Sequence, residues 1–243
     1  MSLEDARAYY DEFSAAYEAK RRPNDPDGYH ALVDDLEIEI VRRYATGKDV
    51  LECGCGTGLL LERMGAFAKT ARGIDLSPGM LEKARARGLD VREASITDIP
   101  FPDASFDVAC SFKVLAHVED IRAALAEMAR VTRPGGVVLA EFYNPLSLRG
   151  LAKRLGPAGR VSHKTRESAM YTRFDAPFAV ARLLPSDVRV EARWGVRIAT
   201  PAAVFLRVPG LRAILPRIER RLAPTLAAYL AGFHVVIARK RAI

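Results

Sequence analysis

The chain has 243 residues, of which 49% are apolar and 28% charged, and a formal net charge of +7 at neutral pH. This length suits one α/β domain with residues left for additions. No apolar run reaches the roughly 18 to 20 residues of a membrane span, and the N-terminus has no basic-then-apolar signal pattern, so we expect a cytoplasmic protein.

The charge is unevenly distributed along the chain. Residues 145–231 contain 16 Lys/Arg and 5 Asp/Glu, a net charge of +11, whereas residues 1–144 have a net charge of −7. A segregated basic half suits an anionic substrate, a nucleic acid or an acidic membrane face, and it also suits a solvated surface that only aids solubility. The charge alone leaves these four interpretations open.

Two helices are predicted before the first strand. Residues 3–20 place Tyr9, Phe13 and Tyr17 at steps of four, which is one stripe of a helix. A loop rich in Pro, Asn, Asp and Gly follows. A second apolar stripe predicts a helix over residues 30–44.

Strands and helices then alternate, as a doubly wound parallel sheet requires. Strands are predicted near 49–53, 70–75, 89–94, 106–111, 136–142, 187–196 and 233–240. Helices are predicted near 58–68, 78–87, 120–132 and 175–184, with a short one at 114–118. Ligands in such sheets bind beyond the carboxyl ends of the strands.

The stretch VLECGCGTG (50–58) joins the first strand to the next helix through three glycines. Such a bend needs residues that tolerate φ > 0 and that let a ligand approach the main chain. A dinucleotide fingerprint, G-x-G-x-x-G, is not matched, because the third glycine, Gly58, comes one residue early. The carboxylate of Glu52 would repel phosphate and suits an ammonium or sulfonium group.

These residues resemble the first motif of the class I S-adenosylmethionine (SAM) dependent methyltransferases, E/D-x-G-x-G-x-G. Four later segments are similar to further motifs of that family and occur in the same order: GIDLSPGMLEKAR (73–85), IPFPDASFDVACS (99–111), VLAHVED (114–120) and EMARVTRPGGVVLAEF (127–142). The PF-PD-x-SFD and RPGG segments look most like those of the ubiquinone/menaquinone C-methyltransferases.

The resemblance implies an α/β fold with a doubly wound, mostly parallel seven-stranded sheet. It also implies an N-terminal helical lid and a helical insertion before the last strand. We expect a single methyltransferase domain (1–243), divided into a lid (1–46), a cofactor-binding core (47–144) and a substrate-side elaboration with the edge strands (145–243).

The implied cofactor is SAM, with S-adenosylhomocysteine as its product. In the family's pattern Asp75 binds the ribose, and many members have Asp where this chain has Ser95 at the adenine edge. The residues assigned to the cofactor are Tyr17, Glu52, Gly54, Cys55, Gly56, Asp75, Leu76, Met80, Ser95, Ile96 and Ser111.

The acceptor side is less well specified. His117 follows the fourth strand and Tyr143 ends the fifth, and both are candidates for catalysis. His117 alternatively packs, or caps the next helix. Glu141, Asn144 and His163 are candidates for binding the substrate, and a solvated role for His163 stays open.

No metal is expected, because Cys53 and Cys55 have neither the usual spacing of a zinc site nor a second pair elsewhere. Residues 204–230 mix aliphatic side chains, arginines and three prolines, which should prevent one long helix. This segment suits a cap over the substrate pocket, a dimer surface or an interfacial helix for anionic lipid. The sequence does not decide between a monomer and a homodimer.

The sequence therefore predicts a SAM-dependent methyltransferase that acts on a small organic acceptor, natural-product or quinone-like, by in-line displacement. An RNA or other nucleic-acid methyltransferase is the alternative enzyme, although no N-P-P-Y or D-P-P-Y motif follows the fourth strand and the arginines alternate with aliphatic rather than aromatic residues. A non-catalytic SAM-binding module is the alternative outside enzymes.

Overall fold

A computed structural model describes residues 3–21, 28–147, 171–200 and 203–242 of the chain. Two helices precede the sheet, α1 (Leu3–Arg21) and α2 (Tyr29–Ala45), and both confirm the helices predicted from the apolar spacing. The buried side of α2 includes Leu36 and Ile40, which belong to the main apolar core.

Strands and helices alternate from Asp49 onward, as the sequence predicted. The strands are β1 (Asp49–Cys53), β2 (Thr70–Asp75), β3 (Asp90–Glu93), β4 (Phe106–Ser111), β5 (Thr132–Tyr143), β6 (Val188–Val196) and β7 (Phe233–Lys240). The helices between them are α3 (Leu59–Gly65), α4 (Pro78–Ala86), α5 (Ile121–Val131) and α6 (Pro209–Leu222). A 3₁₀ turn at Leu115–His117 takes the place of the short helix predicted there.

The strands form one seven-stranded sheet in the order β3-β2-β1-β4-β5-β7-β6. β1 to β5 pair in parallel, and β7 runs antiparallel between β5 and β6. This topology confirms the predicted fold class. Because the chain leaves β1 toward β2 on one side and β4 lies on the other, a crevice opens at the carboxyl ends of these strands.

Successive residues of a strand point to opposite faces of the sheet, because the strand is pleated. Val50 and Val108 lie in the core on the α2 and α3 face. Leu51 and Ala109, one residue further along each strand, lie in the core under α5. Both faces are therefore apolar, and polar groups collect at the strand ends.

One further local prediction differs from the structure. The helix predicted near 175–184 is a turn followed by one 3₁₀ turn at Val180–Arg182. Pro177 disfavours helical geometry at the residue before it, which explains the broken start. Residues 203–230 form two 3₁₀ segments around α6, so no single long helix spans them, as the prolines predicted; Pro216 itself lies within α6. Within the described parts of the chain, none of the helices combines the length and apolarity that crossing a bilayer needs.

Candidate active site

The glycine bend lies between β1 and α3. The main-chain N–H groups of Gly54 and Cys55 both donate to the carbonyl oxygen of Ile74, at 2.7 and 2.9 Å, which ties the bend to β2. Gly54 has φ of 80°, and a Cβ atom there would lie 2.3 Å from Cγ2 of Val114. Only glycine satisfies both conditions, so the sequence motif is a steric requirement of this bend.

Asp75 ends β2 beside the bend. Its Oδ2 accepts a hydrogen bond from the N–H of Gly56 at 2.8 Å, and its Oδ1 accepts one from the N–H of Ser77 at 3.0 Å. Burial raises the pKa of the Asp75 carboxyl group, while the two N–H donors partly offset the rise. Asp75 is not the N-cap of α4. Ser77 caps that helix, because its Oγ accepts a hydrogen bond from the N–H of Met80. Each carboxylate oxygen of Asp75 therefore keeps a lone pair for a ligand.

Glu52 lies on β1 with only 3% of its surface exposed. Its Oε2 has no hydrogen-bond partner among the residues that the structure describes. Burial raises the pKa of Glu52 well above its ordinary value; Lys113 opposes this rise and Glu37 adds to it. A buried carboxylate with an open oxygen is suited to accept hydrogen bonds from a ligand ammonium group.

Lys113 follows β4 and belongs to the same buried group of charges. Its Nζ donates to Oδ1 of Asp34 at 2.9 Å and to Oε2 of Glu37 at 2.7 Å. Its backbone has φ of 61°, an uncommon conformation for a residue with a side chain. Carboxyl groups therefore outnumber cations around Glu52, because Lys113 faces both Asp34 and Glu37.

These elements meet at one cavity of about 820 Å³. It opens beyond the carboxyl ends of β1, β2 and β4 and is covered by α1. Most of the residues selected from the sequence line this cavity: Tyr17, Glu52, Gly54, Cys55, Gly56, Asp75, Leu76, Met80, Ile96, His117 and Tyr143.

Two residues assigned to the cofactor are not among the lining residues. The hydroxyl group of Ser111 is fully buried and donates to the carbonyl oxygen of Cys53 at 2.9 Å, which joins β4 to β1. The hydroxyl group of Ser95 lies 2.7 Å from that of Thr97. Both serines are engaged within the protein, because a short side chain at a strand end bonds the adjacent backbone or loop first.

Two of the three residues assigned to substrate binding bond within the protein instead. Oε1 of Glu141 accepts a hydrogen bond from the N–H of Lys113 at 3.0 Å, and the side chain is buried beside Glu37 rather than lining the cavity. The side-chain N–H₂ of Asn144 donates to the carbonyl oxygens of Tyr229 and Ala231, at 2.8 and 2.9 Å, and so holds the end of the insertion against β5. His163 lies outside the described residues.

Helix α1 covers the cavity with four aromatic side chains, Tyr9, Tyr10, Phe13 and Tyr17. Tyr10 lies outside the stripe of Tyr9, Phe13 and Tyr17 at steps of four, and it was not selected from the sequence. Tyr10 stands three residues before Phe13 and seven before Tyr17, so the same helical period would have found it. Burial raises the pKa of the Tyr10 hydroxyl, with Tyr143 and Asp75 adding to the rise.

The helix is fastened to α4 by polar contacts. Oδ1 of Asp11 accepts from the N–H of Gly79 at 2.6 Å and from the hydroxyl of Ser77 at 3.2 Å. Further along, Nζ of Lys83 donates to the carbonyl oxygen of Ser14. The Asp11 carboxylate thus lies at the N-terminus of α4, where the helix dipole favours negative charge.

The far end of the cavity is aromatic. The His117 ring lies 6.4 Å from that of Tyr10 and 5.8 Å from that of Tyr143. The Tyr143 ring lies 6.1 Å from that of Phe174, which is 59% exposed at the cavity wall. Phe174 was not selected from the sequence, because it follows a long variable segment that carries no periodic signal.

The cavity therefore has a polar end and an aromatic end. Residues 51–140 match the family profile described as a methyltransferase domain. The glycine bend, Glu52, Asp75 and the strands β2, β3 and β4 lie within this matched segment, whereas β6 and β7 lie beyond it.

Individual relatives agree with this match over the same part of the chain. A malonyl-[acyl-carrier protein] O-methyltransferase of Serratia marcescens is 42% identical over 107 residues, 43% of this chain and 42% of the relative. A demethylmenaquinone methyltransferase of Tropheryma whipplei (strain Twist) is 40% identical over 106 residues, 41% of this chain and 44% of the relative. The chain thus spans less than half the length of these two relatives.

The likeness in fold extends further than the likeness in sequence. A crystal structure of a SAM-dependent methyltransferase from Thermotoga maritima superposes with a TM-score of 0.70, covering 97% of this chain and 99% of that one at 19% identity. The similarity in fold therefore covers nearly the whole chain.

Proposed function

We propose that this chain, as a member of the class I SAM-dependent methyltransferase family, transfers a methyl group from SAM to a small organic acceptor. The observation that carries the proposal is the convergence of Glu52, Asp75 and the glycine bend on one cavity. An open buried carboxylate and a second carboxylate with spare lone pairs suit a ligand that has an ammonium group and a ribose.

The polar end would hold SAM through residues of distinct chemistry. Glu52 would accept hydrogen bonds from the ammonium group, and Asp75 would accept them from the ribose hydroxyls. Leu76, Met80 and Ile96 provide apolar surface at the cavity wall for the adenine ring. Tyr17 would contact the ligand from the lid.

SAM supplies an electrophilic methyl group whose transfer is an in-line displacement with loss of the sulfonium charge. The chain contributes orientation and the exclusion of water, which together account for much of such a rate. The covering helix α1 would shield the donor from solvent, and the aromatic end would give an acceptor a wall to pack against. His117 and Tyr143 are the two residues from our sequence analysis that lie there.

The acceptor we propose is natural-product or quinone-like. The two relatives have names that specify quite different acceptors, malonyl-[acyl-carrier protein] and demethylmenaquinone, so family membership does not choose between them. The aromatic wall of Tyr10, Tyr143 and Phe174 favours a planar or apolar molecule.

We propose one catalytic domain with three functional parts. Residues 1–46 form the lid, 47–144 the cofactor-binding core and 145–243 the substrate side with the edge strands. The contacts between Asp11 and α4 support the assignment of α1 to the lid. The position of Phe174 supports a substrate-side role for the later part.

We further propose peripheral contact with anionic lipid through α6. None of the described residues lining the cavity comes from 203–231, which argues against a cap over the pocket. The exposed face of α6 combines Ile214 and Ile218 with nearby arginines. A symmetric dimer on this face would bring like charges together, whereas an anionic surface would complement them.

Isothermal titration with S-adenosylhomocysteine tests the proposed function directly. We expect micromolar binding that is lost in Asp75→Ala and in Gly54→Arg. Heat from NADH, with none from S-adenosylhomocysteine, would overturn the proposal. Incubation of pooled metabolites with methyl-labelled SAM then separates an enzyme, which transfers label, from a non-catalytic module, which binds without transfer. A steep salt dependence of RNA retention would instead favour a nucleic-acid methyltransferase.

A further inference from the structure

The ring of His117 has a defined tautomer. Its Nδ1 lies 3.0 Å from the main-chain carbonyl oxygen of Tyr171. A carbonyl oxygen can only accept a hydrogen bond, so Nδ1 carries the hydrogen. In the neutral ring Nε2 then holds a lone pair. Burial lowers the pKa of His117, and the Tyr171 carbonyl opposes this only in part, so the ring is neutral near pH 7.

The groups around His117 are donors rather than competing bases. Tyr10 approaches from α1 and Tyr143 from β5. Burial raises the pKa of both phenols, so both keep their protons at neutral pH. Tyr171 and Thr172 contact Nδ1 of the ring, through a main-chain carbonyl oxygen and a hydroxyl group respectively.

Other ionisable residues of the cavity lie elsewhere or are already engaged. Glu52 and Asp75 belong to the polar end, and the ammonium group of Lys113 donates to two carboxylates. His30, the other histidine at the cavity wall, lies exposed at the start of α2. His117 is therefore the one base that the described structure places within the aromatic end.

We propose that the aromatic end of the cavity takes the hydroxyl group of an uncharged, planar acceptor, a phenol or an enol, and that Nε2 of His117 accepts the hydroxyl proton. This inference rests on the proposed function and deepens it. The rings of Tyr10, Tyr143 and Phe174 supply faces and edges against which a planar molecule can stack. The two cations that act on Tyr143 are already engaged: Lys113 donates to Asp34 and Glu37, and the Arg197 guanidinium lies over the rings of Tyr29 and Phe233.

The proton transfer balances the reaction. The hydroxyl proton passes to Nε2 while the acceptor oxygen bonds to the methyl carbon, whose bond to sulfur breaks with the electron pair remaining on sulfur. His117 leaves the step as a cation and returns its proton to solvent. The positive charge lost from the sulfonium is thus taken up by the imidazole rather than by the product.

The tautomer can be measured without any turnover. Long-range ¹H–¹⁵N NMR of the histidine rings, assigned by loss of signals in His117→Asn, should show Nδ1 protonated and Nε2 unprotonated at pH 7. His234 is an internal reference for a neutral ring with an unprotonated Nε2. Burial lowers its pKa to about 4, and its Nε2 lies 3.3 Å from Nη1 of Arg193, which can only donate a hydrogen bond. A protonated Nε2 on His117 would overturn the inference.

A second experiment separates a proton acceptor from a packing residue. His117→Asn keeps an N–H that can bond the Tyr171 carbonyl but provides no base. With methyl-labelled SAM and a panel of phenols and enols, each paired with its carboxylic acid and amine counterpart, we expect the wild type to label the hydroxyl compounds. In the variant, kcat should fall by about 10² to 10⁴ at pH 7, with partial recovery at higher pH, where the phenols ionise unaided.

Titration with S-adenosylhomocysteine accompanies each variant, with Arg122→Gln, a change at an exposed residue of α5, as the matched control. Unchanged affinity in His117→Asn shows that the cofactor end is intact, so failure of this inference is distinct from failure of the proposed function. Four outcomes would overturn it: transfer only to acids or amines, no transfer to any member of the panel, a pH-independent loss in His117→Asn, or a larger loss in His30→Asn.

Discussion

The main-chain N–H of Gly56 donates a hydrogen bond of 2.8 Å to Oδ2 of Asp75. The bond joins the glycine bend after β1 to the end of β2, so the two halves of the cofactor motif are coupled before any ligand binds. Asp75 consequently shapes the bend, in addition to the ribose binding that we propose for it.

Asp75→Asn should therefore weaken both binding and folding. The amide has one acceptor oxygen for the two N–H donors of Gly56 and Ser77, and it lacks the charge. A lost charge-assisted hydrogen bond costs about 1.5 to 3 kcal/mol, so we expect S-adenosylhomocysteine affinity to fall at least tenfold and the melting temperature to drop. Asp90→Asn, which removes an exposed pair with Arg72, is the control and should change neither by much. Equal affinities in the two variants would contradict the assignment.

The bend should respond differently to alanine at two of its glycines. Both Gly54 and Gly56 have positive φ, at 80° and 54°, which costs alanine about 1 to 2 kcal/mol. An added Cβ on Gly56 meets nothing within 4 Å, whereas on Gly54 it would lie 2.3 Å from Val114. Gly54→Ala should thus lose more unfolding free energy than Gly56→Ala in urea denaturation.

A double-mutant cycle isolates the steric part of this difference. Val114→Ala removes the atoms that the new Cβ would meet, so Gly54→Ala should be less harmful in the Val114→Ala background than in the wild type. Strict additivity of the two changes would show that backbone strain alone makes Gly54 necessary.

Helix α1, the proposed lid, should retain the cofactor less tightly when its contact with α4 is weakened. Asp11 places its carboxylate against the N–H of Gly79 at the N-terminus of α4. Asp11→Asn removes the charge that the helix dipole favours, a loss of about 0.3 to 1 kcal/mol. We expect S-adenosylhomocysteine to dissociate two- to fivefold faster in surface plasmon resonance. Glu4→Gln, a change at an exposed residue of the same helix, should leave the dissociation rate unchanged. If both variants dissociate faster, the cause is the change in net charge rather than the contact with α4.

Glu52 should make cofactor binding depend on pH. Its raised pKa means that the folded protein holds the proton above the ordinary pKa of 4.5, and the ionised form is the one that attracts an ammonium group. Affinity for S-adenosylhomocysteine should therefore increase as pH rises above 4.5, with release of a proton. The free energy of unfolding should change in the opposite direction and decrease as pH rises. The unfolded chain loses this proton at lower pH than the folded protein, so the stability that protonated Glu52 contributes is lost as pH rises through its raised pKa.

Titration calorimetry in buffers of different ionisation heat measures the released proton. Glu52→Gln should bind more weakly and release fewer protons than the wild type. Asp75, Glu37, Asp34 and Lys113 also face this region, so a smaller residual dependence is expected. The same proton release in both proteins would exclude Glu52 as its source.

Local motifs allowed much of the fold and of the polar end to be predicted. The bend needs glycine for steric reasons and Asp75 is the last residue of β2, so both positions are encoded within a few residues. Asn144 could not be interpreted this way, because its side chain bonds Tyr229 and Ala231, nearly ninety positions later in the chain. Strand alternation gives the side of the sheet on which Glu141 lies, but not the buried charges that occupy that side.

The exposed face of α6 should bind anionic vesicles. Ile214 is 49% and Ile218 36% exposed, and Arg217 and Arg221 lie on the same part of the helix surface. Each arginine near an anionic surface contributes about 1 kcal/mol, and the isoleucines add apolar burial. We expect co-sedimentation with phosphatidylglycerol vesicles, little with phosphatidylcholine, and loss of binding at high salt.

Ile214→Asp with Ile218→Asp should abolish vesicle binding while leaving the fold intact, since both side chains face solvent. Phe178→Asp is the matched control, because Phe178 is 67% exposed on a different part of the chain, in the turn before β6. If the double variant instead dissociates a dimer in sedimentation velocity, and the wild type ignores anionic vesicles, then this face joins two copies of the chain. The arginines would in that case have to pair with carboxylates of the second copy, because facing arginines alone repel each other.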